Sequence, residues 1–322
     1  MNRSLTRLLA STLGAAAALM SVVACTDAGP TDSSALTVGF VVDPSWAQIP
    51  VAAAEGFFDE HGVDVEVVNF QSGVEALQAV AAGQVDVATA ADVPTSAVLT
   101  RSPSLRVIGD GSRWEGSRIV ARRSAGITDV GDLAGASIGT PIGTSASYFA
   151  ADVLHQNGIE AELVQVSPSA MVTAATQQNV DAVSIFQPYQ AQVVAALGDD
   201  AVELAGGTYR QHSLYLATAA AVEDKSTALS AFFAALADAG AELTANSDSA
   251  VSAVASATQL DPDLLRSVLP QFDFALQLRP ELAEKLDELG QWAQAQGSID
   301  AGARIPDYQE FLEDRFLPDA DR

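Results

Sequence analysis

The stretch GTPIGTSASYF, residues 139–149, holds seven Gly, Ala, Ser or Thr residues among its eleven and leads straight into a helical pattern. ASIGT (136–140) before it reads as a strand, Pro141 and Gly143 as a turn, and Thr144 or Ser145 as the cap of a helix running to about Asn157. A Walker-type phosphate loop would need Gly-x-x-x-x-Gly-Lys-Ser/Thr. Here Gly139 and Gly143 are four apart and Thr144 stands at the lysine position. No Gly-x-Gly-x-x-Gly occurs, and a nucleophile elbow fails because Gly143-x-Ser145 is followed by Ser147 rather than glycine. What survives is the helix N-terminus itself, whose unpaired N–H groups and partial positive charge accept anions. Local sequence leaves two readings open: a plain cap worth about 1 kcal/mol, and a pocket for a small anion.

Outward from this unit the chain repeats strand and helix. LTVGFVV (36–42) is a continuous apolar run suited to a strand buried on both faces. A helical segment ending at Gly56, the strand VDVEVVNF (63–70), a helix over 73–83 and the strand VDVATAA (85–91) follow, then a short helix from Pro94 and strands at 105–110 and 118–122. A second series has strands at 136–140, 161–166, 181–186 and 201–205, with Gly158 and Gly198 as helix C-cap glycines. From Ser226 the pattern becomes amphipathic helix, and Asp261-Pro262 marks a helix start. Strands separated by helices imply parallel pairing with crossovers. The expected fold is α/β with two lobes, each a mainly parallel sheet flanked by helices and a ligand cleft between them. Lobe one would hold residues 36–123 and 214–322, and lobe two the inserted residues 124–213, with crossings near Arg122–Ala125 and Ser213–Ala217.

The N-terminus carries an address. Arg3 and Arg7 precede an apolar stretch from Leu8 to Ala24, the layout of a secretory signal peptide over residues 1–24 and too short for a membrane span. Val22-Val23-Ala24-Cys25 resembles the lipobox of bacterial lipoproteins, which implies a lipidated Cys25 as first residue of the mature chain and an anchor on the outer face of the cell membrane. Residues 25–35, rich in Asp, Ser, Thr, Gly and Pro, read as the tether. Cys25 is the sole cysteine, which excludes internal disulfides. Without the signal the chain carries 14 cationic and 41 acidic residues, a net charge of −27. That surface repels nucleic acid, although amide dipoles can still hold a small anion locally. His61, His155 and His212 lie too far apart for a zinc site, so no metal or cofactor is expected.

In open α/β sheets, ligands sit beyond the carboxyl ends of strands. Five turns qualify: Trp46-Ala47-Gln48, Gln71-Ser72-Gly73 and Asp92-Val93-Pro94 in lobe one, Gly143-Thr144-Ser145 and Phe186-Gln187-Pro188 in lobe two. EGFFDEHGVDVE, GQVDVATAADVP, DLAGASIGTPIGTSASYF and VDAVSIFQPY resemble, in that order, motifs of the periplasmic-type substrate-binding proteins of ABC transporters, in the nitrate/sulfonate/taurine and thiamine-pyrimidine-like family. The likeness covers nearly all of the chain from Leu36. It implies a monomer whose two lobes close on a small ligand, without a chemical step, and deliver it to a permease subunit. It also implies that the turns at Gly143-Thr144-Ser145 and Asp92-Val93-Pro94 line the site. The chain departs from the family pattern at Phe186-Gln187-Pro188, where relatives often carry Trp and an acid before the proline; Asp92 is the candidate replacement.

The expected ligand-binding residues are therefore Trp46, Gln48, Ser72, Asp92, Arg113, Gly143, Thr144, Ser145 and Gln187, with Arg113 as the cation of the cleft. The expected ligand is a small anion of sulfonate type; a carboxylate or a thiamine-precursor pyrimidine suits the same donors. Two other roles share the scaffold. A pyrimidine-precursor synthase would want the cysteine-rich segment this chain lacks, and a surface ligand sensor would need no transporter.

Overall fold

The computed structural model describes residues 34–204 and 207–318. The signal peptide, Cys25 and nearly all of the tether lie outside these residues. In chain order the first elements are β1 (Ala35–Val41), α1 (Gln48–Glu55), α2 (Phe57–Glu60), β2 (Asp64–Phe70), α3 (Gly73–Ala81), β3 (Val87–Ala91), α4 (Asp92–Leu99) and β4 (Leu105–Trp114). Then come β5 (Ile119–Arg122), β6 (Ser137–Thr140), α5 (Ser145–Gln156), β7 (Glu162–Gln165), α6 (Met171–Thr176), β8 (Ala182–Ser184), α7 (Tyr189–Leu197) and β9 (Ala201–Leu204). The chain returns through β10 (Gln211–Thr218) and ends in α8 (Ala219–Asp224), α9 (Ser226–Thr244), α10 (Asp248–Thr258), α11 (Pro262–Val268), β11 (Phe272–Asp273) and α12 (Glu281–Ala295).

Two mixed sheets result, ordered β11-β4-β10-β3-β1-β2 and β7-β6-β8-β5-β9. In the first, β1 runs parallel to β2 and β3, while β10 lies antiparallel between β3 and β4. In the second, β6 runs parallel to β7 and β8, while β5 lies antiparallel between β8 and β9. The second sheet has one reversed strand, β5, and the first has two, β10 and the short edge strand β11; β5 and β10 are the strands that have just crossed from the other lobe. The parallel strands point their carboxyl ends at the cleft, so a chain entering from the cleft must run the opposite way.

This arrangement differs from the expected crossing points. The segment 118–122, assigned on sequence to lobe one, forms β5 of the second sheet, with Ile119 opposite Ser184 and Leu204. The return strand β10 begins at Gln211, three residues before the expected start of the returning segment at 214, and gives way to α8 at Ala219. The crossings fall between β4 and β5 and between β9 and β10. A four-residue strand of buried apolar residues reads the same in either sheet, so only its hydrogen-bond partners assign it.

The larger core lies around the first sheet, where Phe232 and Phe233 of α9 and Tyr215 of β10 pack edge to face with centroids 5.5–5.9 Å apart. A second cluster joins Val93 of α4 and Leu289 of α12 to Tyr148, Phe149 and Val153 of α5, so apolar packing continues across the two lobes.

Candidate functional site

A small buried cavity of ≈ 20 Å³ lies where the carboxyl ends of the two sheets meet. On one side are Val41, Asp43, Trp46, Gly73, Ala91, Pro94 and Gln211; on the other are Thr144, Ser145 and Phe186. The space is sized for one or two water molecules. Three helices of eight residues or more, α3, α4 and α5, begin at this wall.

The turn before α5 explains its small residues. Gly143 sits at φ 81°, in the left-handed region where a side chain strains the backbone. Ser147 Oγ accepts the N–H groups of Gly143 and Thr144 at 3.1 and 3.2 Å, and Thr144 Oγ1 donates to Pro141 O at 2.7 Å. The Thr144 hydroxyl therefore closes the turn. The Ser145 hydroxyl lines the cavity and has no hydrogen-bond partner among the described residues. Cap and pocket are thus divided between neighbours: Ser147 and Thr144 cap, and Ser145 faces the cavity.

The opposite wall follows β1. Asp43 caps a 3₁₀ turn, Pro44–Trp46, by accepting the Ser45 N–H through Oδ1 at 2.7 Å. Ser112 Oγ donates to Ser45 O at 2.6 Å, Gln211 Nε2 donates to Ser45 Oγ at 3.4 Å, and Trp46 Nε1 donates to Leu214 O at 3.3 Å. These bonds pin the turn to β4 and β10. Asp43 is 2% exposed, and burial lifts its carboxyl to about 7, against the smaller opposing pull of its Ser45 hydrogen bonds. Among the described residues it is the one ionisable residue on the cavity wall.

The structure brings Trp46, Thr144 and Ser145 together on the wall. Ser72 caps α3 beside the wall residue Gly73, accepting the Glu75 N–H at 3.4 Å. Gly143 shapes the turn and borders an adjoining groove with Pro94 and Ser298. Gln48 is committed elsewhere, its Nε2 donating to Gly111 O at 2.5 Å and to Phe274 O at 3.4 Å. Gln187 Oε1 accepts the Ala191 N–H at 3.3 Å, and its side chain borders a groove with Arg118 and Gln190 instead of this cavity. Arg113 is 2% exposed and points into an ion-pair cluster, 2.8 Å from Asp273 Oδ1 and 3.6 Å from Asp110 Oδ2. Among the described residues, then, no cationic side chain stands on the cavity wall.

Asp92 is fully buried at the crossing rather than in the cavity. It accepts hydrogen bonds from the Tyr209 hydroxyl, the His212 N–H at 3.2 Å and the Val93 N–H at 2.8 Å. Burial raises its pKa, outweighing the charge of His212 and these hydrogen bonds. Burial and the adjacent Asp92 push the Tyr209 hydroxyl well above its ordinary value. His212 Nδ1 meets Asp110 Oδ2 at 2.8 Å; burial pulls its pKa down, but Asp110 and Asp92 together leave it raised. Nearby, Tyr148 packs edge to face on Tyr209 and Trp292 with centroids 4.9 and 5.0 Å apart, and Lys285 Nζ lies 5.4 Å over the Tyr148 ring and 5.9 Å over that of Tyr209. This cluster ties α12 of lobe one to α5 of lobe two.

Asp43, Phe186 and Gln211 are wall residues that the sequence reading did not assign to the ligand. Asp43-Pro44 is a helix-start signal of the kind read at Asp261-Pro262, and at a strand's carboxyl end it marks a turn facing the cleft. Gln211 carries no local signal. Among the described residues no group of three or more His, Cys, Asp or Glu is arranged to hold a metal.

Comparison with known proteins fixes the family. A profile described as NMT1/THI5 like matches residues 43–250, which include every named wall residue except Val41. The chain belongs to the NMT1/THI5-like family. A partial similarity also links it to a protein of Brucella abortus (strain 2308) named as a binding protein, 29% identical over 161 residues, 49% of each chain. A Bacillus subtilis (strain 168) protein named for aliphatic sulfonate binding is 29% identical over 158 residues, 46% of this chain and 47% of its own. The chain spans about half the length of the curated relatives it matches.

Among solved structures, the alkanesulfonate-binding protein SsuA of Xanthomonas axonopodis pv. citri, bound to MOPS, superposes with TM-score 0.75 at 17% identity, covering 87% of this chain and 98% of its own. The nitrate-binding protein NrtA of Synechocystis PCC 6803 gives 0.70 at 12%, covering 88% and 86%. The desulfurization enzyme DSZB gives 0.63 at 16%, covering 88% and 97%. This NMT1/THI5-like chain therefore has the two-lobed periplasmic binding protein fold, a fold that also hosts an enzyme.

Proposed function

We propose that the chain is the solute-binding component of an ABC importer, held outside the cell membrane by a lipid on Cys25. It captures a small organic anion of sulfonate type between its lobes and presents it to a permease subunit, acting as a monomer and without a chemical step. The observation that carries this reading is the convergence of three helix N-termini from both lobes on one buried cavity, with the free Ser145 hydroxyl among them. Such termini hold an anion by N–H groups and dipole without a cationic side chain. Trp46 and Phe186 on opposite walls favour a second reading, a flat heterocycle such as a thiamine-precursor pyrimidine stacked between them.

The test is a thermal-shift screen of the full chain, purified in detergent, against alkanesulfonates, nitrate, carboxylates and thiamine-type pyrimidines. A ligand at a hundredfold its Kd adds about 2.7 kcal/mol. A shift with a sulfonate that weakens in Ser145→Ala supports the anion reading. A shift with pyrimidines alone transfers the site to the second reading, and no shift with any class refutes both.

A further inference from the structure

We propose that Gln190 fixes where the molecule bends: it clamps the first crossing to lobe two, so that the lobes turn on Glu115 and Gly116 there and on Thr208 in the second crossing. On the lobe-one side the last paired residues are Trp114 and Gln211; on the lobe-two side the first are Ile119 and Leu204. Gln190 stands on the first turn of α7 and is 4% exposed. It holds the segment between Trp114 and Ile119 with both ends of its amide. Nε2 donates to Gly116 O at 3.2 Å, and Oε1 accepts the Arg118 N–H at 3.2 Å. A side-chain amide that satisfies one carbonyl and one N–H takes the place of a neighbouring strand, so residues 117–118 travel with lobe two. Trp114 travels with lobe one, buried in its sheet and stacked on Phe272 with centroids 5.4 Å apart. Glu115 and Gly116 remain between them. Arg118 Nη1 donates across this bend to Glu115 O, but at 3.4 Å and in solvent. Gly116 lies against the Trp114 indole, where an added Cβ would collide with the ring. The bend thus falls at the residue type with the widest choice of backbone angles.

The second crossing divides in the same way. Gly207 packs on Phe149 of α5 with no room for a Cβ, which assigns it to lobe two. The Tyr209 hydroxyl donates to Asp92 of α4, and the Arg210 guanidinium meets Asp273 of β11 at 3.3 Å, which assigns both to lobe one. Thr208 lies exposed between them. Arg210 Nε is 3.7 Å from Glu115 Oε1, so the two bending points stand side by side, as a common axis requires. The clamp is also joined to the cavity. α7 begins just after the wall residue Phe186, whose ring meets Tyr189 edge to face with centroids 6.1 Å apart, and Gln187 Oε1 accepts the Ala191 N–H. A displacement of the wall at Phe186 therefore reaches the bend through packed and hydrogen-bonded neighbours.

Amide hydrogen exchange resolved to single residues, and neutron scattering with the detergent contrast-matched, test this on the full chain. No ligand enters either measurement, so the outcome is independent of what the cavity captures. In the wild type the Arg118 amide should exchange at least tenfold more slowly than that of Thr208. Equal rates overturn the inference before any variant is made. Gln190→Met keeps the length of the side chain and loses its amide. In it, Arg118 should exchange tenfold or more faster while the amides of β4 and β5 keep their wild-type rates, and the radius of gyration should rise as the lobes separate more widely. Unchanged exchange at Arg118, faster exchange spread equally over β4 and β5, or a released Arg118 with an unchanged radius each overturns the clamp. Where Gln190→Met does not fold, Gln190→Glu is read instead. It retains the acceptor for Arg118 and lacks the donor to Gly116, so the radius should still rise, and an unchanged radius overturns the inference.

Discussion

Asp43→Asn should stabilise the unliganded protein, and more so as pH rises. In the unfolded chain this carboxyl releases its proton near the ordinary value of 3.8; folded, it holds it to about 7. Between those limits the folded state binds more protons than the unfolded state, so this residue's contribution to stability is fully present below about pH 4 and is lost as pH climbs to 7. A rise from 3.8 to about 7 is worth about 4 kcal/mol at roughly 1.36 kcal/mol per pH unit. That figure is an upper bound, because the cavity beside Asp43 admits water that solvates the carboxylate. Asparagine carries no ionisable proton and escapes the loss. Urea unfolding of both proteins from pH 4.5 to 8.5 at constant ionic strength measures it, since every other titrating group is common to both and cancels in the difference. The expected variant-minus-wild-type difference grows through pH 4–7 and levels off above, reaching at most about 4 kcal/mol. A difference that stays flat across this range, or one that shrinks with rising pH, refutes the reasoning. Either would mean that the carboxylate is solvated or paired rather than buried bare.

Arg113→Met should destabilise by up to about 3–5 kcal/mol, because it takes the guanidinium from the buried Asp110, which keeps His212, and from the half-exposed Asp273. Arg113 is absent from the cavity wall, so the affinity of the folded protein should stay within twofold; a large loss of affinity at unchanged stability would return Arg113 to the cleft. Gly111→Ala would place its Cβ 2.4 Å from the buried ring of Tyr215, and overpacking of this kind costs about 1–3 kcal/mol. Thermal unfolding checks this, and an unchanged Tm would mean that the ring gives way freely. Lys285→Gln removes the cation over Tyr148 and Tyr209, a contact worth roughly 0.5–2 kcal/mol. It joins the two lobes, so its loss should favour their separation, seen as a larger radius of gyration by solution scattering; an unchanged radius would show that apolar packing alone holds them.

The α/β class and the strand–turn–helix unit at 136–157 are legible in the sequence because each depends on neighbours along the chain. Apolar runs against helical spacing separate strands from helices, and glycines mark the ends: Gly56 and Gly158 take positive φ at helix ends, as does Gly143 in the turn. The N-terminus of α5 was visible for the same reason, since its cap and turn involve residues within four positions of one another. The sequence also ordered the turns that reach the cleft, by the rule that parallel strands end there.

What only the tertiary structure decided is which side chain of each turn meets a ligand and which meets the protein. Asp92 and Asp43 look alike in sequence, each an acid at the end of an apolar strand and followed within two residues by Pro. Asp92 is taken by Tyr209 and His212, 117 and 120 residues away, whereas the Asp43 side chain bonds, among the described residues, only to Ser45 two positions on and keeps its place on the cavity. Arg113 is claimed by Asp273, 160 residues on. The sheet of β5 was decided likewise by pairing with β8 and β9, across separations that its own four residues do not encode. Local propensity acts over a few residues, while long-range hydrogen bonds, ion pairs and burial are fixed only when the two sheets assemble and distant groups compete for the same partner.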